Sequence, residues 1–159
     1  MRRAQGGDHD AFGDLCLSLW PGLVALARSI LVWQGDAEDT VQDVLIRAWA
    51  KLPELREPAA FSPWLKKSLL RECLRRAKRR RPSEDLSEVT LSGPPNQSTC
   101  NVTQALASLS SRQRAVVYLG DIQGLDDREI ADLLNLRPTT VRVHRLHARD
   151  RLRQLLGAP

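Results

Sequence analysis

Residues 126–156 read DDREIADLLNLRPTTVRVHRLHARDRLRQLL, a helix, a tight turn and a second, strongly basic helix. Helices joined this closely need apolar residues where they meet. Ile130, Ala131 and Leu134 supply them, with the small Ala131 at the crossing. The turn must visit the left-handed backbone region, which Gly reaches most easily and Asn tolerates, and Asn135 stands four residues after Ala131. Leu136 closes the underside, and Val141 faces inward. Pro138 falls at a helix start, where its missing N–H has no partner to lose. Thr139, Thr140, Arg142 and Val143 are left near the open end of the second helix, the end that enters the major groove in a DNA-binding helix-turn-helix. An ordinary helix pair with a solvated basic face gives no reason for Ile130, Ala131, Asn135, Leu136 and Val141 to agree at once.

Working back from this stretch, the pattern predicts a helix over 112–122, capped by Ser110 or Ser111 and ended by Gly124, and a short helix over 102–109. Residues 81–101, RPSEDLSEVTLSGPPNQSTCN, are rich in Ser, Pro, Thr and Asn and carry little periodicity. They read as a flexible linker, made acidic by Glu84, Asp85 and Glu88.

In the amino-terminal half, Phe12, Leu15, Leu19, Leu23, Leu26 and Ile30 recur at helical spacing within residues 11–32, with Pro21 expected to kink that helix or start a second one. Residues 36–52, DAEDTVQDVLIRAWAKL, form the clearest helix here, with acids in the first turn and Lys51 at the end, as the helix dipole favours. Val41, Val44, Leu45, Ala48, Trp49 and Leu52 make its apolar stripe, which leaves Glu38, Asp39, Gln42, Asp43 and Arg47 on a polar face suited to docking. Pro53 ends it. Ser62 as N-cap and Pro63 at the first helical position predict the start of a further helix that runs into the arginine-rich stretch and stops at Pro82. Trp20, Trp49 and Trp64 have core-like spacing, while Trp33 sits beside a turn expected at Gly35. The fold class is therefore all-α, two small helical domains, 1–81 and 103–159, joined by the linker 82–102.

The formal net charge of +5 is unevenly spread. Residues 71–81 carry seven basic side chains against Glu72, and 137–153 carry six against Asp150, so the remainder is net acidic. Two basic stripes on an acidic chain point to two contacts with a polyanion, nucleic acid being the commonest. Cys16, Cys73 and Cys100 are an odd count without C-x-x-C spacing, which indicates a reducing cytoplasm and no zinc site. Cys100 reads as an incidental thiol, and His144 with His147 as a helical pair lacking the further ligands a metal needs. No apolar run of about 18 residues and no signal peptide appears, so membrane insertion is not expected. Nucleophile and base pairs, Gly-rich phosphate loops and paired-carboxylate motifs are missing too, so the chain reads as a non-enzyme without cofactors.

The ordered set DAED-x-VQDV-x-x-RAW (36–49), F-x-x-WL (61–65), a basic helix end, a polar linker, L-S-x-R-Q-R-x-V (109–116), REIADLL (128–134) and TTVRV (139–143) resembles the extracytoplasmic-function class of bacterial sigma factors. These are the small ones built from sigma regions 2 and 4 alone. The resemblance implies a specificity subunit that binds core RNA polymerase through its beta and beta-prime subunits and directs it to promoter DNA, with an anti-sigma factor as a further partner. It assigns Asp39, Gln42, Asp43 and Arg47 to the polymerase interface. Glu57, Pro58, Phe61, Ser62, Lys66, Arg71, Arg75, Arg76, Arg79 and Arg80 go to the −10 side, where a base is flipped from the stack. Arg137, Thr139, Thr140, Arg142, Val143, Leu146, His147 and Arg149 go to the −35 side. The linker acids take the place of nascent-RNA charge.

Two departures matter. Where the family usually has WL-x-x-IA-x-N this chain has WLKKSLLR, placing Ser68 and Arg71 at the apolar and Asn positions. In the second helix the family tends to have Arg at 144 and 147 and an apolar residue at 145; here the order is His144, Arg145, Leu146, His147. The carboxy-terminal half alone also resembles LuxR-type regulators, and a stand-alone regulator of that kind is the competing reading. It leaves the polar helix and the arginine-rich helix unexplained.

Overall fold

Val41, Val44 and Ala48 on one helix and Leu26, Ala27 and Ile30 on another are fully or almost fully buried, which fixes how the amino-terminal half is built. The computed structural model describes residues 1–31, 34–80 and 102–157. The linker acids, Cys100, Trp33 and the stop at Pro82 lie outside the described residues. Eight α-helices are seen among them: α1 Arg2–Gln5, α2 His9–Ile30, α3 Gln34–Lys51, α4 Phe61–Arg80, α5 Val102–Ala107, α6 Ser111–Val117, α7 Asp127–Leu134 and α8 Pro138–Leu156. There are no strands among the described residues. The chain divides into two compact units, Met1–Cys73 and Leu74–Pro159, with the division inside α4.

In the first unit α2 packs on α3. Asp8 caps α2 by accepting from the Ala11 N–H, and that bond, with the Arg3 side chain, holds its carboxyl below the usual range. Pro21 does not begin a second helix: α2 is one element of 22 residues. Pro21 and Gly22 are exposed, so a carbonyl left without its N–H partner can turn to water. By length and composition α2 alone among the described residues is apolar enough to cross a membrane, yet Leu23, Leu26, Ala27 and Ile30 are spent on the core. Trp49 of α3 packs against His9 and Phe12, ring centroids 4.6 and 4.9 Å away.

The α3 stripe is buried as expected except Trp49, which is half-buried. Gly35 lies in the first turn of α3 rather than in a turn before it. Thr40, also buried, donates its hydroxyl to the Asp36 carbonyl. The start of α4 differs from expectation. A 3₁₀ turn, Pro58–Ala60, opens with Pro58 and leads into the helix at Phe61. Pro58 thus takes the helix-start role given to Pro63, which lies inside the first turn of α4, where its missing N–H still removes no intrahelical bond.

The second unit is organised around α8, against which α5, α6 and α7 all pack. Ser110 caps α6 through a reciprocal pair with Gln113, and Asp126 caps α7 through the same arrangement with Glu129. The Glu129 and Arg128 backbone N–H groups depress the Asp126 carboxyl below its ordinary value. The helix expected over 112–122 is real but changes pitch, α6 running into a single π turn over Tyr118–Ile122. Asn135 has φ 54° and ψ 50°, the one positive φ outside Gly among the described residues. Asn135→Val should therefore destabilise this unit by roughly 1–2 kcal/mol, read as a lowered thermal midpoint, whereas Asn135→Gly should shift it little.

Candidate nucleic-acid and polymerase interfaces

The apolar side of α8 is set by Val141 and Ala148, both fully buried, against Ile130 and Ala131 of α7. At about 100° per residue, the line opposite them runs through Thr139, Val143, Leu146 and Asp150, all exposed. Arg142 and Arg149 lie on one flank of this line and His147 on the other, also exposed, while Arg137 stands exposed as the N-cap residue and Thr140 is half-buried. Every −35 side residue expected from the sequence except Thr140 is thus open to solvent.

Arg145 is different. It points inward with its side chain 22% exposed, and its Nη2 approaches Asp127 Oδ1 at 3.1 Å and the Leu125 carbonyl at 3.5 Å. The contact with Asp127 is one of charge rather than an aligned hydrogen bond, and Arg145 Nε has no acceptor among the described residues. The guanidinium fits only because residue 120 is Gly: a Cβ there would stand 2.4 Å from Nη2 and 2.9 Å from Cζ. Asp127 also meets Arg142 Nε at 3.5 Å, and Asp121 holds Arg149 Nη2 at 2.6 Å, raising the Arg149 pKa above its ordinary value. The π turn and the first turn of α7 therefore carry the acids that orient the arginines of α8. His144, half-buried, has its pKa lowered by burial and by the nearby Arg112 and His147 charges. Among the described residues no group of three or more His, Cys, Asp or Glu gathers as a metal site.

On the first unit, Asp39, Gln42, Asp43 and Arg47 are all exposed along α3. Arg47 is partly engaged, its Nη1 lying 3.4 Å from Glu72 Oε2 of α4, a carboxylate that is itself buried. Ile46 is 68% exposed and lies within a turn of Gln42 and Asp43, a residue that pattern reading missed because the apolar stripe was already complete without it.

Around α4, Glu57, Lys66, Arg71, Arg75 and Arg79 are exposed, and Pro58, Ser62 and Arg76 half-buried. Phe61 is only 3% exposed, with the Trp64 ring 6.2 Å away. Its apolar ring is taken into the core, so it braces the loop from below instead of offering a contact. The side chain of Arg80 lies outside the described residues.

Comparison with known proteins gives two family matches, Sigma-70 region 2 over residues 15–83 and Sigma-70, region 4 over residues 101–152. The chain is 33% identical over 156 residues to the ECF RNA polymerase sigma factor SigM of Mycobacterium tuberculosis, covering 95% of this chain and 80% of that one. Among solved structures it resembles the sigma factor RpoE bound to the anti-sigma factor NepR from Bartonella quintana, with a TM-score of 0.68, 26% identity and coverage of 93% and 98%. It also resembles CnrH in complex with the cytosolic domain of CnrY, with a TM-score of 0.65, 27% identity and coverage of 99% and 94%. A LuxR-type output domain would account for none of residues 15–83.

Proposed function

The chain belongs to the extracytoplasmic-function class of sigma-70 RNA polymerase sigma factors, and on that premise we propose how its surfaces divide the work of promoter recognition. The exposed face of α3, Asp39, Gln42 and Asp43 around Ile46, docks on core polymerase, with Arg47 at its edge. The loop from Glu57 to Ser62 and the exposed basic side of α4 engage the −10 region, and the outward face of α8 enters the major groove at the −35 element. Residues 1–81 and 103–159 form the two working domains, joined by 82–102. The protein performs no chemistry itself and acts in the cytoplasm, where polymerase is. Like RpoE with NepR and CnrH with CnrY, it has an anti-sigma factor as a further partner.

The observation that carries this reading is a recognition helix with its outward face uncovered, in a chain whose other half matches region 2. In vitro transcription tests it: core polymerase with the purified chain should initiate on the DNA upstream of the chain's own gene, and core alone should not. A chain that binds that DNA tightly without polymerase and gives no transcript would sink the reading in favour of a stand-alone regulator.

The arginines of α4 contact phosphates in this scheme. Each phosphate contact releases counterions, so log affinity against log salt loses about 0.9 of slope per contact removed on duplex DNA. Arg75→Gln with Arg79→Gln should flatten the slope of holoenzyme binding by about two without changing which promoters are chosen. A changed sequence preference would mean these side chains read bases.

A further inference from the structure

Hydrogen-bonded readout of bases draws on Arg, Lys, Asn, Gln, Ser, Thr or an acid at the groove floor, and the middle of the α8 face, between Thr139 at one end of the line and Asp150 at the other, carries none of them. The two residues there, one turn apart, are Val143 and Leu146, 50% and 57% exposed. The arginine between them in sequence is turned into the unit, seated over Gly120 and against Asp127. Arg142 and Arg149 stand to one side, tethered toward Asp127 and Asp121, where they can meet the sugar-phosphate wall of a groove rather than its floor. Asp150 continues the central line at the far end of the helix, where Arg153 meets it at 3.5 Å.

Among the described residues nothing in the second unit covers Val143 and Leu146. The one apolar group that the floor of the major groove presents is the C5 methyl of thymine. We infer that this chain reads its upstream promoter element chiefly through thymine methyl groups, which Val143 and Leu146 contact, with Arg142 and Arg149 fixing the helix on the backbone. The departure from the family at positions 144 to 147 then has a consequence: with His at 144 and 147 and the arginine turned inward at 145, the middle of the face is left to Val143 and Leu146. This rests on α8 being the −35 reader and specifies what it reads.

The test uses the full chain with core polymerase and a promoter library randomised across the −35 block. Selected duplexes should carry thymines at fixed positions within that block. Resynthesis with uracil at one such position removes a single methyl and should weaken binding about fourfold, the value of one buried carbon. Leu146→Ala and Val143→Ala should each erase the thymine-over-uracil preference at one position, while circular dichroism stays unchanged because both side chains are exposed. Equal binding of thymine and uracil duplexes by the unaltered protein, with Arg142→Ala still shifting the selected sequences, would overturn the methyl readout alone. No selection anywhere in the randomised block would instead overturn the placement of α8 on the −35 element.

Discussion

Gly120→Ala should destabilise the chain by about 1–2 kcal/mol, at and just below the roughly 1.5–3 kcal/mol of a hydrogen bond to a charged group, because the bond that Arg145 donates to the Leu125 carbonyl is long at 3.5 Å. The missing Cβ at residue 120 is the seat of the Arg145 guanidinium. Adding it leaves the backbone alone but drives out a flexible side chain, which then gives up Asp127 and the Leu125 carbonyl. Asp127 keeps only the longer contact to Arg142. For a helical unit of this size the loss corresponds to about 5–10 °C in thermal midpoint. The decisive reading is a double-mutant cycle. Arg145→Leu in the native background should be destabilising, yet in the Gly120→Ala background it should cost almost nothing, because the ion pair has already gone. Additive effects of the two changes would show that Gly120 and Arg145 are not coupled.

The same triad shows which parts of the molecule the sequence discloses. The turn of the helix-turn-helix is legible because each of its requirements is local: Asn135 must take a positive φ, Pro138 must start a helix and Val141 must face in, and each residue type meets its own backbone need. The α6 cap is legible for the same reason, since Ser110 and Gln113 are three residues apart. Arg145 is not. Its sequence position marks it as an intruder on the inward side, but what accommodates it is a hole at Gly120 and a charge at Asp127, 25 and 18 residues away and adjacent only once the π turn and α7 have packed on α8. Glu72 is hidden on the same grounds: in sequence it is only one acid within a basic run, while the residue it meets, Arg47, is 25 residues away. The start of α4 is obscured by a competing signal: Ser62 and Pro63 form a good N-terminal pair, but the 3₁₀ turn at Pro58 begins the coil earlier.

Asp121 and Asp127 also alter what the basic stripe of α8 means. Counted from sequence, the six arginines over 137–153 form an undifferentiated cationic surface. In the folded unit Arg145 is structural, Arg142 and Arg149 are held in place by acids, and Arg153 meets Asp150 at 3.5 Å within the helix. Charge count alone therefore overstates how many arginines are unpaired before DNA arrives. What the acids add is order: a guanidinium already fixed beside a carboxylate loses less rotamer freedom when it meets a phosphate, at the expense of exchanging one anionic partner for another.

Ile46→Asp should weaken binding to core polymerase at least thirtyfold, a change of roughly 2 kcal/mol or more, while leaving the free protein almost as stable as before. The asymmetry comes from where Ile46 stands. It is 68% exposed in the free chain, so its loss removes little packing from the unit. In a docked complex the same side chain would sit among Asp39, Gln42 and Asp43 at the centre of the α3 face, where full burial of an aliphatic side chain is worth about 1.5–3 kcal/mol and an introduced carboxylate would be left desolvated beside two others. Asp43→Arg should act in the same direction by reversing charge at the patch, and Glu38→Gln, whose partner Arg28 lies 2.5 Å away on α2, should do much less because its charge is already answered within the chain. Affinity measured by titration of labelled protein with core polymerase, alongside thermal unfolding of each variant, separates docking from folding. Unchanged polymerase affinity in both Ile46→Asp and Asp43→Arg would move the docking surface off α3.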